Sequence, residues 1–391
     1  MTTSPEYASP NRPADVLSVR SPSALLASVP YLVGFTPTMS LVVLMLAAPR
    51  SRVVMTVRVD LPTSDGELAA VALVSELVPR LSQVGADAAI AVVYTDVPDD
   101  TDTGSRWAHP HCNLMVELDR ELDLQGIRLN DAILVAAGRR WSYLCDLPDC
   151  CPVDGVPIED DEAQAVRARL VWQGLAPASS RDEVVARVQS DEIAQQLVRD
   201  QIAAIPVDDR EPRRPKALYA LLDLVLEEAN ALQFRGAGEP DGSDSDGSDA
   251  WEATDEDRHL HIAQLLVALQ SIAARDLVLR HLVLVWARRR GARPLMDALC
   301  AVMRCAPASY IAPIATVTAL LSWQAGDGLI AMEAVTRALA DDPDYSMAKL
   351  AYTAIDAGLP PQTLVAMFDQ ISEEECMTGR VSASPPQETR Y

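Results

Sequence analysis

The chain is poor in the residues on which several classes of protein depend. It has 33 Lys and Arg against 56 Asp and Glu, which gives a formal net charge of −23. Binding to nucleic acid or to an anionic membrane needs a basic face, so we expect neither as a main partner. Aromatic residues make up only 5% of the chain. The apolar mass is therefore mainly Ala, Val and Leu, which favours helices with some buried strands.

Long apolar runs and targeting signals are also lacking. The N-terminal residues 1–13 are polar and contain no apolar core of the kind found in signal peptides. The most apolar segments are 41–48, which is too short for a membrane span, and 262–286, which charged residues interrupt. Seven cysteines in 391 residues do not make a disulfide framework. We therefore predict a cytoplasmic protein without a membrane segment.

The familiar catalytic and nucleotide-binding motifs are missing from the sequence. It contains no Gly-x4-Gly-Lys phosphate loop, no Gly-x-Gly-x-x-Gly, no Gly-x-Ser-x-Gly and no His-Glu-x-x-His. The acidic run that starts at Asp244 has Asp249 and Asp255 where an EF-hand needs Gly and Glu. The run is therefore better interpreted as a solvated linker than as a calcium loop.

The first 160 residues show the pattern of an α/β domain. Ser21-Pro22 starts a helix that is predicted to run to about Val29 and to end in a turn from Pro30. Ser64 with Glu67 forms a capping-box pattern for a helix to about Gly85. A further helix is predicted over Cys112–Leu124. Strands are predicted over Leu41–Ala47, Arg52–Leu61, Ala88–Tyr94, Ala132–Ala136 and Arg140–Cys145. This order predicts a mixed sheet flanked by helices, with the first two strands antiparallel.

After Pro152 the pattern is helical almost throughout. Apolar spacing predicts helices at 162–173, 181–203 and 215–235, and again from about 257 to 370. Gly326-Asp327, the small residues at 331 and 338, and Asp342-Pro343 resemble part of a tetratricopeptide unit, in which two antiparallel helices approach closely. An ordinary helical bundle is the alternative. The predicted fold class is thus an α/β N-terminal domain followed by an all-α, partly tetratricopeptide-like domain.

These patterns divide the chain into six parts. They are a disordered N-terminus (1–17), a mixed α/β domain (18–160), a helical segment (161–235), an acidic Gly/Ser-rich flexible loop (236–257), a helical repeat-like domain (258–371) and a disordered tail (372–391).

The most distinctive segment is Gly138–Pro157, which contains Cys145, Cys150 and Cys151. Three interpretations are open. The thiolates could bind zinc together with His109, His111 or Cys112, although the spacing is C-x4-C-C rather than C-x2-C. Cys145 and Cys150 could form a reversible disulfide bridge, with Cys151 as the resolving thiol. The three could also be structural thiols that act as small apolar groups in a tight loop, and we favour this interpretation.

A second candidate site comes from strand alternation. Arg58 and Asp60 fall on one face of their strand. On the later strand Trp141 and Tyr143 share one face with Cys145, whereas Arg140 and Ser142 lie on the other. Such residues could converge on an anionic or polar small molecule, because guanidinium groups recognise carboxylates and phosphates. The alternative, which we favour, is an ion pair of Asp60 with either arginine that supports the sheet.

These residues also carry a resemblance to a known family. The chain resembles an actinobacterial family of unknown function, number 4192, over about residues 17–361. The resemblance rests on segments 25–37, 40–43, 58–62, 138–157, 323–327, 338–339, 342–346 and 357–361. One departure is Met39, where an acidic residue is expected before Ser40. The resemblance implies a cytoplasmic actinobacterial protein and supplies no activity.

The expected function is a non-catalytic protein-interaction or regulatory module that docks a protein partner through its helical repeat. No cofactor is expected apart from the zinc that the thiols could hold. The alternative is a small-molecule-binding protein or an enzyme. Its site would lie near Arg58, Asp60, Arg140 and the cysteine segment.

Overall fold

The chain forms two compact units, Met1–Ser179 and Ser180–Tyr391. The computed structural model describes residues 19, 21–64, 66–96, 109–145, 147–173, 175–206, 214–236, 255–286 and 292–378. The first unit combines a sheet with helices, and the second is helical across its described residues. The predicted division into an α/β part and a helical part is therefore confirmed.

The first unit is built on a mixed sheet of six strands in the order β2-β1-β3-β4-β5-β6. The strands are β1 (Ser40–Ala47), β2 (Arg52–Asp60), β3 (Ala88–Tyr94), β4 (Arg128–Ala136), β5 (Arg139–Ser142) and β6 (Val156–Pro157). Only β3 and β4 are parallel to each other, and every other neighbouring pair is antiparallel. A helix connects β3 to β4, as a parallel crossover requires.

Helices cover both faces of this sheet, so its central strands are apolar on both sides. The helices are α1 (Pro22–Val33), α2 (Glu67–Leu81), α3 (Cys112–Leu124) and α4 (Asp161–Trp172). Leu41, Val43 and Met45 of β1 pack in one core with side chains of α2 and α3. Val42 and Leu44 pack on the other face against α1. All seven residues from Ser40 to Leu46 are buried, as expected for a strand covered on both faces.

The ends of α1 follow from its sequence. Ser21 accepts a hydrogen bond from the amide of Ala24 at 3.2 Å, and Pro22 occupies the first helical position. The predicted helix ended near Val29, but the observed one continues through Pro30 and ends at Gly34, whose φ of +91° is left-handed. Gly34 rather than Pro30 therefore ends the helix.

The second unit consists of eleven helices within its described residues. They are α5 (Arg181–Ala186), α6 (Glu192–Ala204), α7 (Pro215–Gly236), α8 (Asp255–Ala268), α9 (Ile272–His281), α10 (Ala292–Cys305), α11 (Ile311–Ala325), α12 (Gly328–Asp341), α13 (Ser346–Asp356), α14 (Gln362–Gln370) and α15 (Glu373–Thr378). A π-helical turn, Leu282–Trp286, directly follows α9.

Helices α11 and α12 form the central pair of this unit. All residues of α11 from Ala312 to Ser322 are buried. Gly326 ends α11 with a φ of +84°, and Asp327 begins α12 by accepting a hydrogen bond from the amide of Ile330 at 3.0 Å. At the far end of α12, Asp341 accepts hydrogen bonds from the amides of Ser309, Ile311 and Ala312 at 2.8–3.2 Å. One carboxylate thus satisfies the N-terminus of α11 from a neighbouring helix.

Several predicted element boundaries differ from the structure. The Ser64–Glu67 capping box is not formed, because α2 begins after Gly66 and has no side-chain cap. The single helix predicted over 181–203 is two helices, and Asp191 caps the second one. The strand predicted over Arg140–Cys145 ends at Ser142. In each case local backbone turns, rather than the spacing of residues along the sequence, determine where the element begins or ends.

The domain boundaries also differ. The α/β part was predicted to end at residue 160, but α4 packs against α1 and belongs to the first unit. The tail predicted to be disordered from residue 372 begins with α15, in which Cys376 is buried. The predicted disordered N-terminus, most of the acidic loop and residues 379–391 lie outside the described residues.

Among the described helices, none is by itself both long and apolar enough to cross a membrane. One pair, Asp255–Ala268 with Ile272–Leu284, meets the criteria of length and composition when taken together, but it is bent by 113°.

We predict that Asp341→Ala destabilises the helical unit by about 2 kcal/mol, because it leaves several amides at the start of a buried helix without an acceptor. The free energy of unfolding from urea denaturation tests this. The matched control is Asp344→Ala, which removes an exposed carboxylate near the same turn and is expected to have no measurable effect. Equal losses in both variants would contradict this role of Asp341.

Candidate functional site: a cluster of three thiols

The cysteine segment forms a compact loop between β5 and β6. The amides of Cys150 and Cys151 both donate to the carbonyl oxygen of Leu147, at 3.0 and 2.7 Å. The amide of Gly155 donates to the carbonyl of Pro152 at 2.8 Å, which makes a second turn before β6 begins. Two consecutive turns fold the loop back on itself, so residues that are five and six positions apart come together.

Side chains of β5 hold this loop in place. The indole Nε1 of Trp141 donates to the carbonyl of Val153 at 2.9 Å. The guanidinium of Arg139 donates to the carbonyl of Asp154 through Nε and to that of Gly155 through Nη2. Three backbone carbonyls of the loop are therefore bound by one strand, which fixes the path of the loop relative to the sheet.

At Gly155 of this loop only glycine fits. Its φ is +70°, and an added Cβ would lie 2.5 Å from Cε2 of Trp141. The backbone thus lies directly against the indole ring, and any side chain at this position would displace the ring or the loop. We call Arg139, Trp141 and Gly155 the loop clasp.

The clasped loop brings three sulfur atoms together. The Sγ atoms of Cys145, Cys150 and Cys151 all lie within 4.8 Å of one another, and those of Cys150 and Cys151 are 3.8 Å apart. Zinc–sulfur bonds of about 2.3 Å at a tetrahedral angle place two sulfur atoms about 3.8 Å apart. The adjacent cysteines therefore already have the separation that two thiolates need on one zinc ion.

Burial governs the protonation of these thiols. Cys145 and Cys151 are half-buried, whereas Cys150 is exposed. Burial, together with hydrogen bonding to the neighbouring thiols, raises the pKa of Cys151 well above its usual range. A protonated thiol is a poor nucleophile, so the environment opposes a reactive thiolate at Cys151. A metal ion would have to displace its proton on binding.

The two predicted histidine ligands precede α3, and His109 lies beside the aromatic rings of β5 and Tyr143. His109 and His111 are both buried, at 7% exposure each. The ring of His109 is 5.8 Å from that of Tyr143 and 6.4 Å from that of Trp141, and burial lowers its pKa. Among the residues that the structure describes, the group of ligand atoms within 4.8 Å of one another contains the three thiols and neither histidine.

Tyr143 is a core residue rather than an exposed ligand contact. It is 5% exposed, and its hydroxyl donates to the carbonyl of Pro110 at 2.6 Å. This hydrogen bond connects the residue that follows β5 to the segment just before α3. The predicted shared face of Trp141 and Tyr143 is confirmed, because both contact the core on the α2–α3 side of the sheet.

Arg58 is held at the other edge of the sheet by its own neighbours. It forms an ion pair with Asp60 at 2.7 Å, and its Nε donates to Oγ of Ser40 at 2.8 Å. Its guanidinium carbon lies 5.6 Å from the ring centre of Phe35. The ion pair favoured in the sequence analysis is therefore present, and it uses the Arg58–Asp60 combination.

Arg140 lies on the same face of the sheet as Arg58 but not beside it. Successive cross-strand pairs lead from Asp60 of β2 to Arg140 of β5 by way of one residue in each strand between them: Ser40 in β1, Tyr94 in β3 and Val135 in β4. Three strands therefore separate β2 from β5. Four strand spacings amount to about 19 Å. The structure thus does not bring Arg58, Asp60 and Arg140 into one cluster.

The surroundings of Arg140 are acidic. Asp131 and Asp160 both interact electrostatically with it. Burial raises the pKa of Asp131, to which Ser142 donates a hydrogen bond. A hydrogen bond from the amide of Ala163, at the start of α4, lowers the pKa of Asp160. Two carboxyl groups around one guanidinium make this a poor place for an anion, because the net charge is not positive.

Sequence reasoning missed two members of the loop clasp. Arg139 and Gly155 bind and shape the loop, but neither was singled out as a site residue. The Asp154-Gly155 pair is a turn signal that could have indicated a left-handed residue. Nothing in the sequence indicates that the indole of Trp141 packs on that glycine, because this contact joins two segments across the sheet edge.

The comparisons with known proteins give a family. The family model described as "Domain of unknown function (DUF4192)" matches residues 22–362. The searches found no significant match among the curated proteins and none among the solved structures. Since the matched range covers nearly the whole chain, including the thiol cluster and most of the helical unit, the chain belongs to the DUF4192 family.

Proposed function

We propose that the protein is a non-catalytic regulatory module that binds a zinc ion through Cys145, Cys150 and Cys151. The observation that carries the proposal is the convergence of the three sulfur atoms within 4.8 Å. Thiolates favour zinc and other thiophilic ions over magnesium and calcium, which prefer oxygen. The 3.8 Å separation of the adjacent sulfur atoms fits tetrahedral coordination of zinc.

Three protein ligands suit a regulatory site better than a purely structural one. Structural zinc sites are closed by four protein ligands, whereas sites with three keep a position for water or for a donor from another molecule. Cys150 is exposed, so the fourth position would face solvent. Binding and release of the ion would then stiffen or free the loop between β5 and β6. Binding of the ion would change the loop locally, and a partner protein can recognise such a change.

The competing interpretation is that the thiols only pack as small apolar groups. It accounts for the half-buried Cys145 and Cys151 but not for the exposure of Cys150, which gains little from burial. A reversible disulfide is the third interpretation. The raised pKa of Cys151 does not separate the two roles, because thiol–disulfide exchange and zinc binding both require the thiolate.

We further propose that the helical unit contributes a tetratricopeptide-like pair that serves interaction with a protein partner in the cytoplasm. The supporting observation is that Ala331, Ala334 and Ala338 of α12 are fully buried, which permits close approach of a neighbouring helix. One pair is fewer than the three repeats that a stable stack needs. Purification from native cells without a stoichiometric protein partner would count against this role.

We predict that protein purified without chelator contains about one equivalent of zinc, as measured by elemental analysis. Each of the variants Cys145→Ser, Cys150→Ser and Cys151→Ser removes a thiolate and is expected to weaken zinc binding at least tenfold in a chelator competition assay. The matched control is Cys305→Ser, which changes a thiol of the helical unit outside the cluster. Metal-free, fully folded wild-type protein that takes up no added zinc would refute the proposal.

We predict that Gly155→Ala weakens zinc binding, because the added methyl group collides with Trp141 and displaces the loop. Gly138→Ala is a close control. It has a similar φ of +73° but no atom within 4 Å of the added Cβ, so it carries only the backbone strain of about 1 kcal/mol. Chelator competition should separate the two variants. Equal zinc affinities would show that the clasp does not shape the site.

A further inference from the structure

Within the part of the chain that the structure describes, no strand pairs with the outer edge of β2. In the described sheet β2 is the first strand, and its only pairing partner is β1. Side chains of β1 from Leu41 to Met45 are completely buried, whereas those of β2 from Met55 to Val59 are only half-buried. An unpaired strand exposes backbone donors and acceptors along one side and is a template for a further strand.

This edge lacks most of the features that normally prevent strand addition. Residues 53–59 contain no proline and no lysine. The one cation among them, Arg58, is bound to Asp60 and Ser40 of its own sheet. Val54 forms a β-bulge: Met45 of β1 pairs with Met55, whereas the next residue, Leu46, pairs with Val53. The bulge restricts regular pairing to the part of β2 that begins at Met55.

We propose that this edge pairs with the same edge of a second copy of the chain, antiparallel, with the two-fold axis at Val57. The two-fold axis of a symmetric antiparallel strand pair must pass through a residue position. If it passed between two residues, side chains directly opposite each other would lie on opposite faces of the sheet. The register then places Met55 opposite Val59 of the second copy and Val57 opposite itself. These three pairs are apolar and lie on the α2–α3 face, where they extend the existing core.

Neighbouring registers are less favourable. A centre at Arg58 places two guanidinium groups directly opposite each other, which is destabilising. A register centred on Thr56 would place Asp60 opposite Arg52 of the second copy. The bulge at Val54 lies between these two positions in β2, so their side chains lie on opposite faces of the sheet and cannot pair. In the Val57-centred register Arg58 faces Thr56 of the second copy and no like charges meet. The sequence of β2 is therefore self-complementary in one register.

The first test is self-association, measured by sedimentation equilibrium of the full-length protein. We expect a monomer–dimer equilibrium and a dissociation constant that rises at least tenfold in Val57→Lys, which places two ammonium groups on the two-fold axis. The control Leu68→Lys changes an apolar residue that is 87% exposed on α2 and should leave association unchanged. A wild-type protein that remains monomeric throughout, or a dimer insensitive to Val57→Lys, would overturn the proposal.

Cross-linking tests the register and does not depend on the folding of the lysine variant. Opposite residues on the axis have Cα atoms about 5 Å apart, so Val57→Cys should form a disulfide-linked dimer under mild oxidation. Met55→Cys should not, because the Cα atoms of the two introduced cysteines would be about 14 Å apart. The wild-type protein controls for its own seven cysteines. Equal cross-linking of both variants, or cross-linking of Met55→Cys alone, would contradict the register.

Discussion

The packing of Trp141 on the backbone of Gly155 determines where the cysteine loop lies. The indole binds the carbonyl of Val153 at 2.9 Å and leaves no room for a side chain at Gly155. Arg139 adds two further hydrogen bonds to loop carbonyls. The sulfur atoms of the loop converge because the backbone that carries them is held by β5. Preorganisation of this kind lowers the ordering cost when an ion binds.

The position of β5 explains why the two candidate sites of the sequence do not merge. Three strands lie between β5 and β2, so Arg140 and Arg58 act separately. Arg58 forms an ion pair with Asp60 beside an open edge, whereas Arg140 lies among carboxyl groups. The interior strands between them contribute apolar side chains on both faces and carry the core. The chemically distinctive residues are thus at the periphery of the sheet, where loops and edges are accessible.

Much of the fold could be predicted because local patterns and the final structure agree. The continuous apolar run of β1, the capping serine before α1 and the Gly326-Asp327 turn before α12 all specify their elements locally. The Cys145–Cys151 segment stood out by composition, but its geometry depends on contacts of Trp141 and Arg139 across the sheet edge. The separation of Arg58 from Arg140 depends on strand order, which residue spacing does not specify. The role of Asp341 at the start of α11 likewise joins positions about thirty residues apart.

The central claim is that three thiolates of one clasped loop hold a zinc ion. X-ray absorption spectroscopy at the zinc edge tests it most directly, on protein purified without chelator. The account predicts a first shell of three sulfur atoms at about 2.3 Å and one nitrogen or oxygen at about 2.0 Å. A first shell composed only of nitrogen and oxygen would contradict it, because zinc would then be bound elsewhere.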